Sequence, residues 1–526
     1  MKISLSSLAL ANFVIACSAN ANATDHATIK TITGVYTGLI DPKYPQTRQF
    51  RSIAFAEPPT QARRWLPPQK LPESDKHHNA TGLPPSCPQF ISSTPSLLST
   101  YFAKGAMINT GAQNSTSGLV GATTSEDCLY LAIWTPSTAT PISNLPVLVF
   151  LPGGGFTSGG IDSGYYDPAK WIERSQSHIV VTLNYRLNIF GFPNAPGLEE
   201  QNLGILDQRM ALEWVRENIG AFGGDPGAIT QWGQSAGSMS TDAHAYAYHE
   251  DPIARAYFLM SGTAFSAAGV VDEAFSNFTF VAQSVGCEVG DGSEALLECM
   301  RGVPFEDISN FIGRYGDRGT TPALSFTPVV DERIVFSDYA GRAKAGKIAR
   351  LPAIISNTAN EASSLVPFPA QNQSAGFPQE VILAIELGGF VCPAFTSTLE
   401  RNEVSVPVYR YQYAGIYPNL NPLAWTGAWH GEDIPMVFGT YDLVQGVGDV
   451  PEIERETSRA MQEHVLAFVK DPYHGPEKLG WEVLDARGAR NGKVIRFGAG
   501  EKAVQYVESL EVDGVCQGLG DYDAFP

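Results

Sequence analysis

A serine hydroxyl attacks a carbonyl only if a base takes its proton and a set of donors stabilises the oxyanion that forms. Gly233-Gln234-Ser235-Ala236-Gly237 matches G-x-S-x-G and lies between a segment with strand character and one with helix character. A bare Gly-Ser turn carries the same letters, so the strand-turn-helix context is what favours a nucleophile. In such a tight turn, glycines two residues to either side of the serine avoid collisions with neighbouring backbone. The helix start that follows brings free N–H groups and a positive dipole end to the reacting oxygen. Gly153-Gly154-Gly155-Phe156 follows an apolar run. It can aim successive backbone N–H groups at one point, and losing one such donor costs roughly 2.7–4 kcal/mol. Nine histidines compete for the role of base. Late in the chain, His464 falls inside an amphipathic stretch, His474 follows Asp471-Pro472, and His430 sits in the Gly-flanked segment GAWHGEDIPMVFG.

The elements that must position these groups alternate. Pro146–Leu151, His178–Leu183, Ile229–Gly233, Tyr257–Met260 and Ala353–Ile355 are short apolar runs of strand length. Leu206–Ile219 and Glu452–Lys470 have helical spacing, and the chain from Ala236 onward does too. Buried strands alternating with helices predict an α/β fold, a mostly parallel sheet with helices on both faces. No internal repeat is present.

The chain has 526 residues, 44% of them apolar and 17% charged, with a formal charge of −19. That balance supplies a core and argues against nucleic acid or an anionic membrane as partner, since both need clustered Lys and Arg. Lys2, the apolar stretch Ile3–Ala16 and Ala21-Asn22-Ala23 read as a secretory signal, residues 1–23, cleaved after Ala23. No later segment of the sequence reads as a membrane span. Removing Cys17 with the signal leaves six cysteines of seven, which an oxidising compartment pairs. Six cysteines allow 15 connectivities; the simplest is sequential, Cys87–Cys128, Cys287–Cys299 and Cys392–Cys516. Sequons at Asn79, Asn114, Asn277 and Asn372 suit the same route. The destination expected is extracellular, or a station within the secretory pathway or cell wall. Neither CxxC nor HExxH occurs, so a zinc site has little support.

Asn202–Gly237 (NLGILDQRMALEWVRENIGAFGGDPGAITQWGQSAG) resembles the serine signature of the type-B carboxylesterase/lipase family, which includes cholinesterases and secreted fungal lipases. Ser125–Pro136 (SEDCLYLAIWTP) resembles the family's second signature, and Phe50–Pro68 and Asn184–Phe192 are also similar. Ala132 and Gln231 depart from the usual residue types, and Pro152 stands where a ring residue usually precedes the glycines. The resemblance implies an α/β-hydrolase fold and a serine carboxylic-ester hydrolase acting through an acyl-enzyme. It implies the chain order serine, acid, histidine, and GAWHGEDIPMVFG resembles the family's histidine loop, which selects His430 over His464 and His474. The acid it implies is Glu361 in AIISNTANEA, here followed by Ala362; Asp331 is the runner-up, and Glu432 and Asp433 read as structural charges. The implied oxyanion donors are Gly154, Gly155 and Ala236. No metal or organic cofactor is implied. Residues 24–526 are expected to form one catalytic domain with long loop insertions.

Within the family that the chain resembles, cholinesterases place a Trp in the first disulfide loop and a Glu before the nucleophile; residues 88–127 hold no Trp and Gln234 precedes Ser235, so choline esters are not the expected substrates. The Cys87–Cys128 loop, residues 88–127, mixes Phe90, Leu97, Tyr101 and Phe102 with polar residues and is a candidate lid, although a fixed wall is the plainer expectation. Soluble short- or medium-acyl esters are therefore the expected substrates. The alternatives are a lipase with a mobile lid, a pathway-specific esterase of fungal secondary metabolism, and a catalytically silent binding protein.

Overall fold

The computed structural model describes residues 27–102, 106–107, 118–120, 123–266, 272–288, 290, 292–370, 372–443, 449–488 and 492–526. The signal reading over residues 1–23 and the Asn114 sequon lie outside the described residues. Eleven strands form one sheet: β1 (Leu39–Ile40), β2 (Thr47–Ala54), β3 (Tyr130–Pro136), β4 (Leu145–Leu151), β5 (Ile179–Leu183), β6 (Gly224–Gln234), β7 (Ala256–Met260), β8 (Ala353–Thr358), β9 (Val408–Tyr413), β10 (Lys493–Phe497) and β11 (Val504–Glu508). Across the sheet the order is β11-β10-β9-β8-β7-β6-β4-β5-β3-β2-β1. The pairings from β10 to β5 are parallel, and those at the two edges are antiparallel. The fold is thus mixed α/β around a mostly parallel sheet, the α/β-hydrolase architecture.

Alternation along β4 shows why both faces need cover: Leu148 and Phe150 enter one core, while Val147, Val149 and Leu151 enter the other. The first core takes Met461, Val465, Phe468 and Val469 from the helix Glu452–Lys470. Their spacing puts them on one stripe of that helix. The second takes Ile205, Ala211, Leu212 and Val215 from the helix Leu203–Asn218, called α1. The helix Ala236–Ala247, α2, starts directly after β6. Its Asp242 is fully buried, paired with Arg401 at 2.5 Å, and accepts the Ala264 N–H. A charge taken out of water must be compensated in this way.

One sequence expectation is corrected. The helix Gln379–Glu403, α3, is 25 residues, and its most apolar 18-residue window has mean hydropathy 1.6, long and apolar enough to cross a membrane by length and composition. Glu386 and two glycines interrupt its apolar run in the sequence, which hid it. Half of its most apolar window is buried inside the protein, and Cys392 is bridged to Cys516, the behaviour of a core helix. The other disulfides are Cys87–Cys128 and Cys287–Cys299. Asn79 and Asn372 are exposed, and Asn277 is partly exposed.

Candidate active site

The turn at Ser235 is built by close backbone packing. Ser235 has φ 55° and ψ −124°, a conformation that costs a non-glycine residue of order 1–3 kcal/mol and persists only where its surroundings enforce it. Here they do: Ser235 N–H donates to the Met260 carbonyl at the end of β7, and Met239 N–H donates to the Ser235 carbonyl. A Cβ on Gly233 would lie 2.2 Å from the Gly237 oxygen, and one on Gly237 would lie 1.9 Å from the Leu151 oxygen. Both obstacles are backbone, so neither moves aside. Gly237→Ala is therefore expected to lower the melting temperature clearly and to depress activity with it. Overpacking of this kind costs typically 1–3 kcal/mol. A melting curve superimposable on wild type would contradict the packing argument.

His430 and Glu361 are 69 residues apart in sequence and meet in the fold. Glu361 follows β8 and is fully buried; its Oε1 accepts the Thr358 N–H at 2.7 Å, and its Oε2 lies 2.6 Å from His430 Nδ1. That bond fixes a proton on Nδ1 and leaves Nε2 as the free acceptor. His430 Nε2 is 3.2 Å from the side-chain amide nitrogen of Gln234. Among the described residues Nε2 bonds to Gln234, not to Ser235. Catalytic hydrogen bonds often tighten only once substrate is bound. Phe390 packs against the His430 ring at 5.1 Å between centroids. Behind the pair, Asp433 accepts the Tyr411 O–H at 2.9 Å. Burial, and then the Glu361 charge, push Asp433 up to about 7. Glu432 accepts the Trp429 N–H, and burial holds it well above the carboxylate range. Both residues are held as structural groups beside the pair rather than on the ring.

The glycine loop leaves β4 beside this turn. Gly154 has φ 118°, Gly155 φ 61° and Phe156 φ 62°. At Gly154 a side chain has no room, since a Cβ would sit 2.2 Å from the Ser158 oxygen. The carbonyl of Pro152 accepts the Tyr185 O–H at 2.9 Å. Gln89 clamps the far side of the loop. Its amide donates to the Gly159 carbonyl and to that of Cys87, and its oxygen accepts the Gly159 N–H. Sequence reasoning passed over Gln89; its one signal was its place two residues after a disulfide cysteine.

The competing residues are accounted for. Asp331 receives N–H groups from Arg333, Ile334 and Val335, and the Asn202 amide besides, so it organises a turn. His464 is buried against Trp481 and Phe497, and burial lowers its pKa. His474 is exposed near Glu477. His178 and His244 are completely buried, and desolvation pushes each down to about 3. Gln231 is explained too: its amide lies 3.0 Å from His244 Nδ1. Among the described residues no group of three or more His, Cys, Asp or Glu side chains is placed to hold a metal ion.

One cavity opens on the turn, and a second shares a wall with it. A pocket of about 250 Å³ contains Ser235 and Ala236 and is walled by Gly155, Phe156, Met239, Val335 and Tyr339, among others. A cleft of about 1060 Å³ adjoins it through Thr327, between Phe90, Ile312, Phe326 and Phe368 and the hydroxyls of Ser92, Ser99 and Ser158.

The carboxylesterase family model matches residues 25–387, a span that includes Ser235 and Glu361 and stops before His430. Over 506 residues the chain is 38% identical to a chlorogenic acid esterase of Aspergillus niger, with 93% of each chain covered. It is 35% identical to secreted lipase 5 of Gibberella zeae, again with 93% of each covered. Identity to an acetylcholinesterase of Bungarus fasciatus is 27%, covering 87% of this chain and 81% of that one. A solved PNB esterase superposes with a TM-score of 0.75 at 23% identity, over 94% of this chain and 99% of the other, a likeness of fold. The family match over more than half the chain, and relatives above 30% identity along nearly all of it, give the conclusion: the protein is an enzyme of the carboxylesterase family, an ester hydrolase.

Proposed function

We propose that the protein is a secreted serine carboxylesterase in which Ser235 is the nucleophile, His430 the general base and Glu361 the acid that orients it. The observation that carries this reading is the 2.6 Å contact of Glu361 Oε2 with His430 Nδ1, buried next to the strained Ser235 turn. His430 Nε2 takes the Ser235 proton as Oγ adds to the ester carbonyl. Gly154, Gly155 and Ala236 donate backbone N–H groups to the oxyanion. The imidazolium then protonates the departing alcohol, and Glu361 stabilises its charge meanwhile. Water repeats the path on the acyl-enzyme and releases the acid. In this reading residues 24–526 work as one catalytic domain. Three disulfides and relatives named as secreted lipases support export.

The pocket beside Ser235 is small and walled by Phe156, Met239 and Tyr339, so it suits one compact apolar arm of an ester. The wide cleft combines aromatic rings with hydroxyls and suits a bulkier arm that is partly polar. One relative is named a chlorogenic acid esterase, which fits such a two-armed substrate. The described part of the 88–127 loop supports a fixed wall. Leu97 and Phe102 are buried, and Phe102 stacks on Trp429 at 4.7 Å. Ser93 Oγ donates to Asp317 at 2.6 Å. A panel of esters varied separately in acyl and alcohol tests this. Soluble esters with one short or compact arm are expected to be hydrolysed fastest, with no jump in rate at the solubility limit. Preference for triolein-like substrates, with a sharp rise as emulsion forms, would establish a lipase with a moving lid instead.

A further inference from the structure

Glu386 is fully buried on α3, immediately before the π-helical turn Leu387–Val391 that carries Phe390 onto His430. π-Turns inside helices concentrate at functional sites. Glu386 Oε2 accepts the Ala362 N–H at 3.0 Å, the residue after Glu361. Its Oε1 lies 3.4 Å from Tyr522 Oη, in the segment beyond the Cys392–Cys516 bridge. We propose that Glu386 is a positioning residue for Glu361, gripping the backbone just beyond it and so fixing the carboxylate that orients His430. This rests on the reading of Glu361 and His430 given above.

Tyr522 holds the other oxygen of Glu386. Tyr522 has one hydroxyl proton. Its oxygen is 3.0 Å from the Ala359 carbonyl, which has no proton to give, and it receives the Gln412 amide at 3.0 Å. The Tyr522 O–H donates to the Ala359 carbonyl and, at the longer 3.4 Å, to Glu386 Oε1. Glu386 thus accepts from the Ala362 N–H with one oxygen and from the Tyr522 O–H with the other. The ionisable groups that face Glu386 are Glu361 and Tyr522, and among the described residues no cation pairs with it. Burial, and then the Glu361 charge, hold its pKa well above the carboxylate range. Two adjacent buried carboxyls do not both ionise readily.

The test compares wild type, Glu386→Ala and Glu386→Gln with 4-nitrophenyl butyrate from pH 5 to 9, alongside melting curves. Glu386→Ala is expected to lower kcat between about tenfold and 10²-fold, the scale of a misplaced catalytic group, with KM unchanged. Glu386→Gln keeps an acceptor for the Ala362 N–H, so it is expected to recover most of that loss, with the acid limb of the pH profile where wild type has it. Wild-type kcat in Glu386→Ala overturns the proposal, and so does a Gln variant as slow as the Ala variant. An acid limb displaced to lower pH by about one unit in Glu386→Gln also overturns it, because that marks the loss of a negative charge. If Glu386→Ala does not fold, Glu386→Met fills the space without the acceptor and replaces it. Glu361→Gln is the control: if that variant keeps its rate, the Glu361–His430 reading itself has failed, whereas its collapse beside an active Glu386→Ala removes only the present proposal.

Discussion

Ser235→Ala is expected to yield a folded protein whose kcat has fallen by up to roughly 10⁶-fold, the loss seen when a serine triad is deprived of its nucleophile. The fold survives because the turn is held by bonds that the hydroxyl does not make. The 235 N–H still reaches Met260, and the 235 carbonyl still receives Met239. Neither neighbouring glycine contact changes, since the obstacles at Gly233 and Gly237 are backbone atoms. Binding is also expected to persist, because the pocket walls at Phe156, Met239 and Tyr339 are untouched. The measurement is single-turnover hydrolysis with purified variant, paired with organophosphate labelling and peptide mapping. Wild type should carry one label, on the peptide containing Ser235, and the variant none. Appreciable turnover by a variant with wild-type melting behaviour would move the chemistry elsewhere. An unlabelled wild type without activity would favour a silent binding protein.

Much of the architecture was legible because the central strands are apolar on both sides. Pro146–Leu151 and Tyr257–Met260 could be read directly, and β4 and β7 differ from them by a residue at one end. The strands beyond β8 were not legible, and β9 shows why. Its sequence is VYRYQY, yet every residue is buried. Arg410 is paired with Asp513 at 2.7 Å and donates to the Ile355 carbonyl and to Asn357, while Gln412 donates to Tyr522. Residues 53 to 110 positions away make those polar side chains acceptable in a core, and no local pattern announces such partners. The same holds at the site. The Ser235 turn carries a local signature because its glycines answer to nearby backbone. Glu361 has none, being one carboxylate in a polar loop, and only the resemblance selected it. Gln89 and Glu386 act on the site through backbone groups of other segments, so they look like ordinary polar residues in sequence.

Glu361→Gln is the second large effect expected, a fall in kcat of about 10⁴-fold with the fold retained, by comparison with neutralised acids in other triads. The glutamine oxygen can still accept the Thr358 N–H that Glu361 Oε1 now accepts at 2.7 Å. The group facing His430 Nδ1 then becomes an amide N–H. It donates to Nδ1, drives the ring proton to Nε2, and leaves no lone pair where the serine proton must go. The imidazolium that forms during attack also loses its counter-charge in a buried site. Two neighbours serve as controls because their bonds lead elsewhere. Asp433→Asn removes a carboxyl bonded to Tyr411, not to the ring, so its loss should be far smaller. Asp331→Asn alters a turn held by the N–H groups of Arg333, Ile334 and Val335 and should leave kcat intact while lowering stability. The rates of all three variants, measured on one soluble ester with melting curves alongside, rank the carboxylates. Collapse of activity in Asp331→Asn or Asp433→Asn, with Glu361→Gln still active, would give the acid's role to that residue and leave the 2.6 Å contact between Glu361 and His430 a structural ion pair.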